Sequence, residues 1–193
     1  MSDIVVTEFI SLDGVIEAPG GEPEYPHSGW TFKVSDGDDH LSYKLEELKG
    51  VEAQLLGRVT YEGFAAAWPE RDDEAGFAKL MNEMPKYVVS TTLTEPEWQN
   101  TTVIPPDPAE VAKLKDRHEG DILVAGSATL VQWLTDNDLV DEYRLMLFPV
   151  LLGDGKRLFR VADREEMVPL KLTDSRSYDS GVVVQTYRRA REG

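Results

Sequence analysis

Two short segments place glycine and hydroxyl residues where an apolar, strand-like run gives way to a helix-like run. The first follows residues 53–56 and consists of Gly57, Arg58, Val59 and Thr60. The second follows residues 121–124 and consists of Gly126, Ser127, Ala128 and Thr129. A helix N-terminus presents unpaired N–H groups and a partial positive charge. The two segments therefore predict one site, built from two helix N-termini, for a ligand that carries several phosphates.

Each of these residues also has a purely structural explanation. The two glycines suit ordinary turns, Thr60 and Ser127 suit helix caps, and Arg58 suits a surface charge. Their joint occurrence in the strand-then-helix context favours a dinucleotide site over separate caps. A Rossmann site is not predicted, because no Gly-x-Gly-x-x-Gly follows a strand-like run.

Strand-like and helix-like segments alternate along the chain, which favours an α/β fold with helices covering a largely buried sheet. The predicted strands are residues 4–10, 53–56, 86–90, 101–104, 121–124, 143–151, 170–178 and 182–188. The last two flank Asp179-Ser180-Gly181 and predict a C-terminal β-hairpin. A helix ending at Gly50 is predicted to bury Leu41, Leu45 and Leu48 on one face. With no linker or repeat, we expect a single domain over residues 1–193.

Composition narrows the classes of partner and site. The chain of 193 residues has a formal net charge of −16, which disfavours nucleic acid and anionic membranes as partners. It contains no cysteine, which excludes disulfides and thiolate zinc sites, and its three histidines lack metal-ligand spacing, so no metal site is predicted. The N-terminus has no signal-peptide pattern, and no apolar run is long enough for a membrane span, so we expect a cytoplasmic protein.

Four motifs occur in the order and spacing of a known family. They are Ser11-Leu12-Asp13-Gly14, residues 56–62, residues 89–92 and residues 124–128, and residues 147–155 add a fifth similarity near the end. Between residue 4 and about residue 187 the chain resembles the dihydrofolate reductase-like superfamily. It is most similar to the branch related to the reductase domain of the riboflavin-biosynthesis deaminase-reductase.

The resemblance implies a mixed, mostly parallel eight-stranded sheet, flanked by helices, that binds NADPH across the carboxyl ends of its strands. It places Arg58 and Thr60 beside the cofactor phosphates, and it places Ser90, Thr91 and Thr92 at the adenosine end. Gly126 would let the backbone approach the pyrophosphate or the nicotinamide side, with Ser127, Ala128 and Thr129 donating from the following helix.

The substrate side is less defined. Asp13 lies where the resemblance places the loop over the nicotinamide pocket, so it is the candidate proton-handling residue, although a turn-forming Asp-Gly explains it equally well. Trp30 and Glu62 are the candidate pocket residues. The carboxylate with which dihydrofolate reductases bind the pterin has no counterpart, because its position falls near Leu41. Folate is therefore not the expected substrate.

We interpret the chain as an NADPH-dependent oxidoreductase that transfers hydride to a small heterocyclic or carbonyl substrate. Two alternatives remain. One is a non-catalytic NADP(H)- or nucleotide-binding protein with a decayed substrate pocket, and the other is a pyrimidine reductase of riboflavin synthesis. The apolar strand 144–151 and the hairpin after it also predict a homodimer.

Overall fold

The computed structural model describes residues 2–21, 24–34, 38–71, 73, 75–159 and 167–190, with the backbone alone for residues 38–40. Its strands are β1 (Ile4–Ser11), β2 (Val51–Gly57), β3 (Lys86–Val89), β4 (Thr101–Ile104), β5 (Asp121–Ala125), β6 (Glu142–Phe148), β7 (Leu170–Ser177) and β8 (Val183–Arg189). Its helices are α1 (Trp30–Val34), α2 (Asp38–Leu48), α3 (Arg58–Ala67), α4 (Phe77–Glu83), α5 (Pro108–Arg117) and α6 (Ala128–Asp136).

All eight strands form one sheet in the order β4-β3-β2-β5-β1-β6-β8-β7. Pairing is parallel from β4 to β6, and β8 runs antiparallel to both of its neighbours. The predicted α/β fold, its mostly parallel sheet and its C-terminal hairpin are confirmed. Because six parallel strands adjoin one another, their carboxyl ends form one edge, and the loops that carry the predicted site all leave from it.

Most predicted strands appear within one or two residues of their predicted bounds. The prediction of a strand over residues 143–151 was wrong at its end, since β6 stops at Phe148. Pro149 follows, and proline has no N–H to donate to a sheet ladder. Helix α1 was not predicted, because it lies at the end of a segment rich in proline and glycine. Within the described residues, no helix is both long and apolar enough to cross a membrane.

Helices cover both faces of the sheet, and the face changes between β2 and β5. Tyr61 of α3 packs in a buried cluster with Val5 and Leu56. Residues of α6 pack in another, with Ile4 and Leu55, which are the strand neighbours of that first pair and point to the opposite face. The chain therefore turns to opposite faces after two adjacent parallel strands. In open α/β sheets such a point leaves a crevice at the carboxyl edge, where ligands bind.

The predicted inner face of α2 is only partly correct, because Leu48 alone of the three leucines is fully buried. Leu41 is 49% exposed, whereas Lys44 and Glu47 are buried together with Leu48. The two charged side chains are stabilised by partners on distant strands, so the apolar spacing of the leucines does not decide which face is inside.

Candidate functional site

The two predicted glycine segments meet at the crevice between β2 and β5. A Cβ atom added to Gly57 would lie 2.5 Å from Ser127 Oγ, and one added to Gly126 would lie 3.1 Å from Thr60 Cγ2. Each segment therefore needs its glycine to admit a side chain of the other. Gly126 also has φ +77°, a backbone conformation that glycine adopts without strain. The structure brings both segments into one arrangement, as the sequence suggests.

Two helix N-termini open at this place. Helix α3 starts at Arg58 directly after β2, and α6 starts at Ala128 with Ser127 as its N-cap, whose side chain accepts a hydrogen bond from Leu130 N. Gly57 caps α3 without a side-chain hydrogen bond, so the first N–H groups of that helix receive no side-chain oxygen from their cap. Both termini can therefore present N–H groups to an anion.

Around these termini the side chains are partly or fully exposed. Arg58 donates to both carboxylate oxygens of Glu62, at 2.8 and 2.9 Å, while its own side chain stays 43% exposed. Val59 is 65% exposed, Thr60 is half-buried and Thr129 is exposed. The guanidinium is thus held on the outer surface of α3, next to the helix N-terminus, by a surface ion pair that solvent can reach.

Residues 90–92 extend the same edge on the other side of β2. Gly57 is paired with Val89, so Ser90 begins the loop beside the start of α3. The Ser90 hydroxyl accepts hydrogen bonds from Thr92 N at 3.1 Å and from Leu93 N at 3.0 Å, which shapes a tight turn. Thr91 and Thr92 are exposed. The three predicted adenosine-end residues therefore neighbour Arg58 at the sheet edge.

The Asp13 carboxylate connects the loop after β1 to the loop after β6. Its carboxylate accepts hydrogen bonds from Ser11 Oγ at 2.6 Å, from Leu152 N at 3.2 Å and from Gly153 N at 2.7 Å. Arg157 donates to the backbone oxygens of Asp13 and Gly153. The Ser11 hydroxyl and these amides hold the pKa of Asp13 at about 2. Its carboxyl is therefore ionised at neutral pH, and the proton-handling role stays a prediction.

The two predicted pocket residues have different surroundings. Trp30 is 2% exposed, donates from Nε1 to the Glu17 carbonyl at 2.8 Å and packs edge-on against Phe148. Glu62 pairs with Arg58 on exposed helix surface. Trp30 therefore lies in the core, and Glu62 lies beside the predicted phosphate site. That either residue contacts a substrate stays a prediction.

A buried acid that the sequence reading passed over lies next to the crevice. Glu8 is 6% exposed in the middle of β1, and its Oε1 accepts a hydrogen bond from Gly126 N at 3.0 Å. Burial raises the pKa of Glu8 to about 8, although the nearby Lys44 and the Gly126 amide lower it in part. The signal was present in the sequence, since an acid inside the otherwise buried strand IVVTEFIS is unusual.

Buried charges continue from β1 to α2. Lys44 donates to the Thr7 hydroxyl and to Glu47 Oε2, the latter at 3.1 Å, and the Thr7 hydroxyl donates to the same oxygen at 2.9 Å. The other oxygen, Glu47 Oε1, lies 3.6 Å from Arg144 Nη1 and has no hydrogen-bond partner. The buried Glu47 carboxylate is therefore balanced by two cations, Lys44 and Arg144.

Comparison with known proteins identifies the family. The family described as the RibD C-terminal domain matches residues 2–184. YyaP of Bacillus subtilis (strain 168), an uncharacterised protein, is 31% identical over 191 residues, which cover 95% of this chain and 93% of YyaP. These matches confirm the predicted resemblance.

Solved structures show the same fold at lower identity. A protein from Shewanella sp. PV-4, named for riboflavin biosynthesis, superimposes with a TM-score of 0.74 at 24% identity, covering 99% of this chain and 100% of that one. A dihydrofolate reductase from Enterococcus faecalis, solved with NADP(H) and the compound RAB-propyl, gives a TM-score of 0.60 at 16% identity, with coverages of 98% and 97%.

Proposed function

Because the chain belongs to the RibD C-terminal domain family, we propose that it is an NADPH-dependent reductase that transfers hydride to a small heterocyclic or carbonyl substrate. One observation carries the proposal: the N-termini of α3 and α6 open side by side in a crevice that both glycine segments shape. The dihydrofolate reductase that shares this fold was solved with NADP(H), which supports the choice of cofactor.

The residues present fit a phosphate-rich dinucleotide. They offer backbone N–H groups at two helix N-termini, hydroxyls at Thr60 and Thr129, and the Arg58 guanidinium. Hydrogen bonds from such donors to phosphate are charge-assisted and therefore strong. Arg58 and residues 90–92 would hold the adenosine end with its 2′-phosphate, and Gly126 with the start of α6 would hold the pyrophosphate.

When bound, NADPH would supply the hydride. The protein's part is to bind, orient and exclude water. Asp13 ties the loop after β1 to the loop after β6, which fixes the rim of the site beyond the crevice. A rim fixed by three hydrogen bonds to one carboxylate can keep a bound substrate in one orientation.

Replacement of Arg58 by alanine tests the cofactor assignment. We expect Arg58→Ala to weaken NADPH binding by at least about tenfold and to spare NADH, because one charge-assisted contact to the 2′-phosphate contributes about 1.5–3 kcal/mol. Isothermal titration calorimetry of both cofactors against both proteins measures the effect.

The matched control is Arg117→Ala, which removes an exposed arginine at the end of α5, at the opposite edge of the sheet. It makes the net charge more negative by the same amount but lies far from the proposed site, so it should leave both affinities unchanged. Equal affinity of the native protein for NADPH and NADH, unaltered by Arg58→Ala, would remove the NADP assignment.

A second candidate function is cofactor binding without turnover. The observation that favours it is the engagement of both Asp13 oxygens by loop amides. An assay of NADPH absorbance against dihydropterins, pyrimidinones, quinones and small ketones separates the two functions. Turnover of a pyrimidinone in this panel would further favour the pyrimidine reductase of riboflavin synthesis.

A further inference from the structure

A fork opens in the sheet beside the crevice. Strands β1 and β5 are paired from Ile4↔Ile122 to Thr7↔Ala125, whereas β1 continues along β6 as far as Ser11↔Phe148. Strand β5 leaves the sheet because Gly126 and Ser127 both adopt positive φ, +77° and +66°. Beyond Thr7, β1 therefore has β6 on one side and the start of α6 on the other.

The Glu8 carboxyl lies in this fork. Its hydrogen bond from Gly126 N takes the place of a further β1–β5 ladder bond. A glutamine would accept that hydrogen bond equally well and would not suffer the cost of burying an ionisable group. An acid at a 6% exposed position thus needs a reason other than capping the amide of Gly126.

The fork lies next to the predicted phosphate site, further along the carboxyl edge of the sheet. From β4 towards β6 the edge carries residues 90–92 after β3, Arg58 after β2, Gly126 after β5 and then Glu8 in β1. An extended dinucleotide with its adenosine end at residues 90–92 and its pyrophosphate at Gly126 has one direction left for its nicotinamide. That direction leads to the fork.

One buried cation acts on the Glu8 carboxyl. Lys44 on α2 contacts Thr7, the strand neighbour of Glu8, and forms an ion pair with Glu47, whose other oxygen lies 3.6 Å from Arg144 on β6. The Lys44 ammonium attracts the Glu8 carboxyl, and it also packs 5.1 Å from the Phe9 ring centroid. A buried cation near a buried acid stabilises the carboxylate that proton loss leaves behind.

From this juxtaposition we infer that Glu8 is the proton-carrying residue beside the nicotinamide, protonated when the cofactor is reduced and ionised when it is oxidised. The inference rests on the proposed reductase function. It shifts proton handling from Asp13, whose oxygens accept loop hydrogen bonds, to a carboxyl inside the fork. Lys44 is the positioning residue that compensates the Glu8 charge.

In the proposed step, Glu8 protonates the substrate heteroatom while the neighbouring carbon receives a hydride. Hydride from NADPH adds to the carbon of a substrate C=O or C=N bond, whose π pair moves to the heteroatom. The Glu8 O–H bond breaks, and its proton forms the O–H or N–H bond of the product. The cofactor is oxidised and the substrate is reduced, while the Glu8 carboxylate takes its next proton from solvent. General acids of this kind contribute about 10²–10⁴-fold to turnover.

Proton release on cofactor binding tests the inference without any substrate. The oxidised nicotinamide ring carries a positive charge that the reduced ring lacks, so NADP⁺ should favour ionised Glu8. With the pKa of free Glu8 at about 8, binding of NADP⁺ at pH 7 should release roughly one proton more than binding of NADPH. Calorimetric titrations in buffers of different ionisation enthalpy count these protons.

Glu8→Gln should abolish the difference while keeping the acceptor for Gly126 N, and the control Glu46→Gln, an exposed acid on α2, should not alter it. Equal proton counts for both cofactors in the native protein, or a difference that survives Glu8→Gln, would overturn the inference and leave the reductase proposal standing. Failure of both cofactors to bind would overturn both.

Infrared titration of the native protein covers the case in which Glu8→Gln does not fold. We expect a protonated carboxyl C=O band at neutral pH that is lost as the pH rises through about 8 and that NADP⁺ removes at pH 7. A spectrum without such a band at neutral pH contradicts the inference. Lys44→Met, which takes away the attracting charge, should move the loss of the band to higher pH.

Discussion

At the scale of single residues, the site separates two carboxyl groups by their surroundings. Asp13 is surrounded by N–H and O–H donors that favour its charged form, whereas Glu8 receives one amide and is otherwise desolvated. Two acids at one sheet edge are therefore suited to different tasks. The Asp13 carboxylate stays ionised at every physiological pH and holds two loops together. The Glu8 carboxyl gains or loses its proton within the physiological pH range.

The hydrogen bonds to the Asp13 carboxylate predict how the stability of the protein depends on pH. Because the folded pKa is lowered from 3.8 to about 2, its stabilising effect is complete above pH 3.8 and is lost as the pH falls to about 2. Asp13→Asn should therefore lower the melting temperature at neutral pH, and the gap to the native protein should close over that acid range. Melting curves at a series of pH values measure this gap.

The control for this series is Asp116→Asn, which changes an exposed aspartate on α5. Its melting temperature should follow that of the native protein at each pH. A gap for Asp13→Asn that stays constant down to pH 2 would show that the carboxylate charge does not contribute to loop closure.

At the scale of elements, a buried lysine joins α4, β3 and the loop before β4. Lys86 is fully buried, and its ammonium donates to the carbonyls of Asn82 and Met84 at 2.8 Å and of Gln99 at 3.2 Å. It also lies 4.2 Å from the centroid of the Trp98 ring. One cation thus satisfies three backbone acceptors where α4 ends and β3 begins.

Lys86→Met should destabilise the protein by about 1–3 kcal/mol, because a side chain of similar length leaves buried carbonyls without a donor. The midpoint of urea unfolding reports this change. Lys79→Met, at an exposed lysine of α4, is the matched control and should shift the midpoint little. Equal midpoints for the two variants would mean that solvent satisfies the carbonyls instead.

The elements also show what the sequence predicts well. Strands β2 and β5, α6 and both glycine segments follow from apolar runs, caps and turn residues that lie close together in sequence. The inner face of α2 does not follow from such local signals. Lys44 and Glu47 can be buried there because they contact Thr7 and Arg144, which are distant in sequence. Glu8 stands out in the sequence as an acid inside an apolar strand, but the sequence does not show what it contacts, since its partner Gly126 lies 118 residues away.

At the scale of the whole molecule, the net negative charge and the exposed hairpin both affect whether two copies of the chain associate. Strand β6, whose apolar sequence suggested a pairing surface, lies inside the sheet between β1 and β8. The edge strand next to β8 is β7, in which all eight residues are exposed. Leu170 and Leu172 are 37% and 48% exposed there.

We predict a homodimer that covers this edge. An exposed edge strand presents unpaired backbone groups, and two copies related by a twofold axis can cover the same edge on each other. The net charge of −16 opposes association, so the interface should depend on apolar contacts, and the dimer should strengthen with salt.

Sedimentation equilibrium at micromolar concentration should give twice the 21.6 kDa mass of one chain. Leu172→Lys should return the mass to that of a monomer, because it sets a lysine against its copy across the axis. Leu41→Lys, at an exposed leucine of α2, should leave the dimer intact. A mass of 21.6 kDa for the native protein in both low and high salt would rule the dimer out.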